Sequence, residues 1–452
     1  MIINIHPSAV DNFNKKADEL LGFIIERPFK RERQEEFSSH LHVAGSFTDK
    51  DIIGEIEVSS SDYKGNTISR TFHFEGKNYG LSEENYNKLK DIAEKLQLLP
   101  GIRSTLSCTF VEKCLFTWLG NKYKKIEDPQ PFLEFLNSEA QKVVEKTTSW
   151  IPIANLEIQS SFLISRSQIK PITKDVMDNW ESNIGGAATG EDKKKIIEKF
   201  HKKRKEYQGL AAVVSVIEAE PEYAFDYALE EAQTITSVLG IFSSATLIPD
   251  IKCLSRIKGS ENMAQATIFF EGANGNLSTT TSKILDTAST KYWRLSSSEI
   301  NEIRKVGLDN ISSLLTTESL NGFRKSVLNA ILLYSKSAFT SDPIEKVVHT
   351  LSSLESILLK NENEPIQQNL SERIAVFTSK ELTERKSIIK LIKSIYGVRS
   401  RYLHHGHTTS ELKLISDFLL KIWLFYMQLL GNVDRFSTQD EFVCAIDDHK
   451  LA

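Results

Sequence analysis

Along the first third of the chain, apolar and polar residues alternate with a period of two. Residues 52–58 read IIGEIEV and residues 67–74 read TISRTFHF, a spacing that sends successive side chains to opposite faces of a half-buried strand. Between them, residues 59–66 (SSSDYKGN) carry turn residues, so the two strands are predicted to form a hairpin. Residues 105–118 (TLSCTFVEKCLFTW) and 156–164 predict further strands, with a helix over 82–98 among them. From about Ile169 the pattern becomes helical. Residues 221–241 predict an amphipathic helix with acids in its first turns, as the helix dipole favours, and residues 264–271 (AQATIFFE) a return strand. After Ser297 the helical period continues, giving helices over 298–315, 320–339, 343–360, 370–378, 384–398 and 411–430. Short polar turns separate them. Asp342 is placed to cap the third, with Pro343 at its first position. Short links between helices of this length predict an up-and-down bundle, and the acids beyond Asn432 read as a tail. The expected class is α+β, in three parts: a β-rich N-terminal recognition domain (1–165), a mixed, mainly helical middle region (166–310), and an all-α bundle with an acidic tail (311–452).

Composition narrows the function classes. With 40% hydrophobic and 26% charged residues the chain has enough apolar material for a sizeable core. A net charge of −4 excludes a uniformly basic nucleic-acid coat but not a local basic site. Cys108, Cys114, Cys253 and Cys444 lack CxxC spacing, which suits a reducing, cytoplasmic setting better than a disulfide framework or a zinc site. Residues 1–7 lack the pattern of a signal peptide. The most apolar stretch, 418–430, is too short to span a bilayer and is interrupted by Lys421. Neither a membrane association nor a cofactor is expected. Residues 191–206 hold eight Lys/Arg against four acids, which fits either a solvated helix face or a nucleic-acid contact. Gly185 and Gly190 have P-loop spacing, but Glu191-Asp192 follow where Lys-Ser/Thr is required, so nucleotide binding there is excluded.

Candidate chemistry concentrates at residues 397–407, GVRSRYLHHGH. Three of the ten histidines fall within four positions, two arginines precede them, and no acid interrupts the run. Imidazole gives and takes protons near neutral pH, and guanidinium grips phosphate through paired hydrogen bonds. The preceding helix is basic as well: residues 380–401 carry seven Lys/Arg against two acids, with Lys386, Lys390 and Lys393 as candidate RNA contacts. On the helix from Pro343, the carboxylate of Glu355 sits beside the stripe Val347, Leu351, Leu354, Leu358. Unless it reaches water at the border, it needs a cation, and Arg399 and Arg401 are the candidates. On an unbroken α-helix Arg399 is turned by about 140° from His404 and about 240° from His405. Convergence therefore predicts a helix that distorts or ends near Tyr402, with Gly406 suited to the turn. Two other readings of the histidines stand beside an anion site: a metal cluster, which lacks a fourth ligand nearby, and a polar helix terminus.

The Arg399-x4-His404 pattern in a C-terminal helical bundle resembles the HEPN superfamily. The phrases Leu351-Ser352-Ser353-Leu354-Glu355-Ser356-Ile357-Leu358-Leu359, Ile395-Tyr396-Gly397-Val398-Arg399-Ser400 and His405-Gly406 are similar to its Apea-like branch, found in bacterial anti-phage proteins. The likeness spans residues 320–430, and more faintly 150–153 and 221–241. It implies a metal-independent endoribonuclease acting as a two-fold homodimer through the bundle. The substrate would be RNA, tRNA included, and a phage-derived trigger would activate it. It further implies Arg399 and His404 or His405 as catalytic residues, supported by Glu355, Arg401 and His407. The doubled histidine departs from the simplest pattern and leaves the catalytic one ambiguous. Inactive members of the family serve in assembly, so a non-catalytic RNA- or protein-binding module is the alternative.

Overall fold

The computed structural model describes residues 6–27, 57–65, 67–126, 130–187, 190–260, 265–271, 277–283, 293–317, 319–361, 363–405 and 411–451. The chain divides into two units, residues 1–147 with 216–227, and residues 148–215 with 228–452. In the first, α1 (Pro7–Leu21) buries Phe13, Ala17 and Leu20, one stripe at helical spacing. β1 (Ile24–Glu26), β2 (Glu57–Ser61), β3 (Thr67–Phe74) and β4 (Lys77–Leu81) form a sheet in the order β1-β4-β3-β2, every neighbouring pair antiparallel. The expected hairpin is β2–β3, with Val58 opposite Thr71 and a left-handed Gly65 (φ 84°) in its turn; residues 52–56 lie outside the described residues. α2 (Glu83–Gln97) starts where Ser82 accepts from the Asn85 N–H at 3.3 Å and buries Tyr86, Leu89, Ile92, Ala93 and Leu96.

The strand expected over 105–118 is instead a helix, α3 (Cys108–Tyr123). Ser107 caps it by accepting from the Phe110 N–H at 3.0 Å. Val111, Cys114, Leu115, Phe116, Trp118 and Leu119 are all buried, so the helix is apolar on most sides and shows no stripe to read. Its Thr, Phe, Val and Cys residues imitate a strand in composition. With α4 (Phe132–Val143) it closes the core of this unit.

β5 (Glu145–Pro152) runs into the second unit, which holds β6 (Leu156–Ile158), β7 (Phe162–Ile164) and β8 (Ser167–Pro171). α5 (Lys174–Ala187) and α6 (Gly190–Tyr207) follow, then β9 (Ala211–Ala219) and α7 (Pro221–Gly240), whose residues 216–227 count with the first unit. β5, β9, β8 and β7 make a four-stranded sheet in that order. A purely helical pattern from Ile169 onward therefore misses β8 and β9. Ala211–Val214 are buried without alternation, and a short unbroken apolar run carries no period to distinguish strand from helix. The basic segment 191–206 lies in α6, where Arg204 pairs with Asp178 and with Glu181 (2.9 Å) of α5. Lys194, Lys195, Lys199, Lys202 and Lys205 are exposed. The return strand appears as β10 (Gln265–Glu271), hairpinned with β11 (Leu277–Lys283), and β12 (Trp293–Leu295) runs parallel to β6.

The remainder is helical: α8 (Ser297–Ile303), α9 (Asp309–Thr316), α10 (Gly322–Ser335), α11 (Pro343–Leu358), α12 (Ile366–Thr378), α13 (Leu382–His405), α14 (Leu412–Leu430) and α15 (Gln439–Leu451). Asp342 caps α11 as expected, accepting from the N–H groups of Ile344 (2.7 Å) and Glu345 (3.0 Å). Antiparallel strands toward the N-terminus and helices toward the C-terminus make the chain α+β.

One expectation for the bundle changes. The residues beyond Asn432 are not a loose acidic tail, because α15 buries Phe442, Val443 and Ile446. Its Asp447 accepts from Arg373 Nε and Nη2, both at 2.9 Å, and the same buried guanidinium reaches Glu364 Oε2 (2.6 Å) and the Leu358 carbonyl (2.7 Å). The wide apolar surface of α14 is mostly covered within the chain. Ile415, Phe418, Leu419, Ile422, Phe425, Tyr426 and Leu429 are buried, and Trp423 Nε1 donates to the Ile241 carbonyl at 3.2 Å. Leu412, Leu420 and Leu424 are its exposed apolar side chains. No helix among the described residues is long and apolar enough to cross a membrane.

Candidate active site

The site rests on α11 and α13. Ile388, Ile392 and Ile395 are buried at spacings of four and three, and Arg399 is the next residue of that stripe. Its side chain is 25% exposed, so most of the guanidinium is drawn into the bundle. There it meets Glu355, the carboxylate that the apolar edge of α11 could not hold alone. Arg399 Nη1 donates to Glu355 Oε1 at 2.9 Å, and the Tyr396 hydroxyl donates to the same oxygen at 2.8 Å. Of the two arginines considered for Glu355, Arg399 takes the role. Arg401 lies outward and pairs with Glu411 at 3.0 Å. Burial, and after it the charge of Glu355, push the Tyr396 phenol well above its ordinary value. It therefore stays protonated and keeps donating. Arg399 Nε is buried with no hydrogen-bond partner among the described residues.

The helix does not end or distort near Tyr402; α13 continues unbroken to His405. Five residues of regular helix separate the backbone at 399 from that at 404 by about 140° around the axis. The side chains of His404 and His405, and His407 with Gly406, lie outside the described residues. Lys386, Lys390 and Lys393 are exposed and fall within an arc of about 60° on the outer side of α13. The backbone at His404 follows Lys393 by three turns, about 20° away. The structure thus brings Glu355, Tyr396 and Arg399 together on the inner side. It gathers the three lysines on the outer side, where Arg401 also lies, about 20° beyond Lys390 around the axis and about three turns further along.

Tyr396 was not singled out among the candidate residues, although it precedes Arg399 by one helical turn and so faces the same neighbour. Compared with family models, curated proteins and solved structures, the chain matches none.

Proposed function

We propose that this chain is a metal-independent endoribonuclease of HEPN type, acting in the cytoplasm as part of defence against phage. The observation that carries the chemistry is the Glu355–Arg399–Tyr396 cluster. A guanidinium anchored through Nη1 keeps its orientation while its other terminal nitrogen, Nη2, is left for a phosphate. Exposed Lys386, Lys390 and Lys393 supply positive charge for the RNA backbone. In the proposed reaction one imidazole of the His404/His405 pair takes the proton of the 2′-hydroxyl. The 2′-oxygen attacks phosphorus, Arg399 stabilises the charge that develops, and a second imidazole protonates the departing 5′-oxygen. The products are a 2′,3′-cyclic phosphate and a free 5′-hydroxyl. Because 399 and 404 lie on different sides of one unbroken helix, the proposed active species is a two-fold homodimer. In it, the arginine of one protomer works with the histidine of the other. The phage-derived trigger and an RNA substrate such as tRNA rest on the resemblance alone.

The alternative is a non-catalytic RNA- or protein-binding module, favoured by the engagement of Arg399 with Glu355 inside the bundle. Incubating total cellular RNA with the full chain in excess chelator separates the two. Wild type is expected to cut and leave 2′,3′-cyclic ends, and Arg399→Ala to leave the RNA intact. Cleavage that stops in chelator and returns with magnesium would replace this mechanism with that of a metal nuclease. No cleavage by wild type under any condition would favour the binding module.

A further inference from the structure

Away from the Arg399 cluster, the second unit holds a cavity of about 530 Å³, within the range of small-molecule sites. α7 contributes Ser237 to its wall, the turn after α10 contributes Lys336 and Phe339, α11 contributes His349, and the segment before β10 contributes Arg256. The walls are fixed. A Cβ on Gly240 of α7 would lie 2.6 Å from the Phe339 ring, so helix and ring are in direct contact. The Arg256 backbone is held by its carbonyl accepting from the Ala154 N–H at 2.7 Å.

The charge lining this cavity is unbalanced. The Arg256 guanidinium lies over the Phe339 ring, 4.2 Å from its centroid, which leaves the edge bearing its N–H groups unused. Neither Arg256 nor Lys336 has an ion pair or a hydrogen-bond acceptor for its side chain among the described residues. The single carboxylate of the lining, Glu345, is exposed and accepts from the Thr340 hydroxyl at 2.6 Å. Burial works against the charge of Arg256. Burial, and next the Lys336 charge, hold His349 below its ordinary value. A half-buried arginine ordinarily has a carboxylate partner, and here a bound anion would take that place. Two full cations and one imidazole suit a dianion with several acceptor oxygens, and a planar guanidinium fork suits phosphate.

We infer that this cavity binds a small phosphate monoester, its phosphate held by Arg256 and Lys336 with His349 and Ser237 beside it. The test is calorimetric titration of the full chain with inorganic phosphate, adenosine 5′-monophosphate and glucose 6-phosphate. Citrate and a short single-stranded RNA serve as contrasts. Saturable binding is expected for inorganic phosphate and tighter binding for at least one monoester, which identifies the source of the phosphate. Lys336→Gln, at an exposed position, should keep the wild-type melting temperature and weaken binding roughly tenfold, the value of one charge-assisted contact. Arg256→Lys should weaken it further by losing the fork. Absence of binding by all three phosphates at millimolar concentration would overturn the inference, as would affinities unchanged in both variants. Citrate binding as tightly as the phosphates would overturn the phosphate assignment, and binding of the RNA alone would overturn a small-molecule ligand.

Discussion

Replacing Arg399 tests both the architecture and the chemistry, because the same guanidinium anchors α13 to α11 and is the proposed phosphate ligand. Arg399→Ala leaves the Glu355 carboxylate, 22% exposed, with the Tyr396 hydroxyl as its remaining hydrogen-bond partner among the described residues. A hydrogen bond to a charged group contributes about 1.5–3 kcal/mol, and partial exposure places this one near the lower part of that range, at about 2 kcal/mol. In a cooperative unit of roughly 300 residues this is a fall in Tm of about 3 °C. Tyr396→Phe removes a single hydroxyl from the same oxygen and should cost about 1 kcal/mol. In a double-mutant cycle, Glu355→Gln and Arg399→Ala should couple by at least 1 kcal/mol, since they share one contact.

Arg399→Lys separates structure from catalysis. A lysine can keep an ion pair with Glu355, but it is a point charge without the second edge that would reach a phosphate. Its Tm should lie within about 1 °C of wild type, while cleavage of RNA falls by at least tenfold. Thermal unfolding followed by calorimetry gives the first quantity and single-turnover cleavage the second. If Arg399→Ala melts with wild type and the cycle shows no coupling, the Glu355 contact does not hold in solution. If Arg399→Lys cuts at the full rate, the guanidinium is not the group that stabilises the phosphorane.

Mixing Arg399→Ala chains with His404→Ala chains should restore about a quarter of wild-type cleavage, because half of the dimers would be mixed and each would hold one intact composite site; no recovery in a mixture shown by light scattering to exchange subunits argues against the shared site. Changing Lys386, Lys390 and Lys393 together to Gln should weaken RNA binding and flatten the slope of log affinity against log salt by about 2, as expected for three lost contacts to a single strand; an unchanged slope would place the RNA elsewhere. Lys346 is fully buried and donates to the carbonyls of Ala245, Ile248 (2.8 Å) and Ile251 (2.5 Å), so Lys346→Met should destabilise the second unit by several kcal/mol, read as a lower urea midpoint. Burial lowers the Lys346 ammonium from its ordinary 10.5 to about 8. Between those values the unfolded chain binds more protons than the folded one, so the stability of wild type relative to Lys346→Met should rise from pH 8 to 10, and a falling difference would contradict that shift.

The bundle was legible because its signals are local. Asp342-Pro343 marks a helix start by capping chemistry, and the stripe Val347, Leu351, Leu354, Leu358 marks its buried face. The elements that escaped are those whose burial is decided by distant neighbours. α3 and β9 are covered on most sides, so neither shows the contrast between wet and dry faces that a period requires. α15 reads as an acidic tail because Asp440, Glu441, Asp447 and Asp448 crowd its short span, yet Phe442 and Val443 are fully buried and Asp447 closes on Arg373 from another helix. At the candidate site, a carboxylate beside an apolar stripe announces the need for a cation, and an arginine four residues beyond Ile395 continues another stripe. Those two facts predict the pair. What they do not predict is that α13 runs on to His405 with Gly397 inside the helix. Seven residues of regular helix from Arg399 to His405 fix how far a single chain can bring its arginine toward its own histidines. That limit is the physical reason for the proposed dimer, in which the second half of the site comes from another copy of the chain.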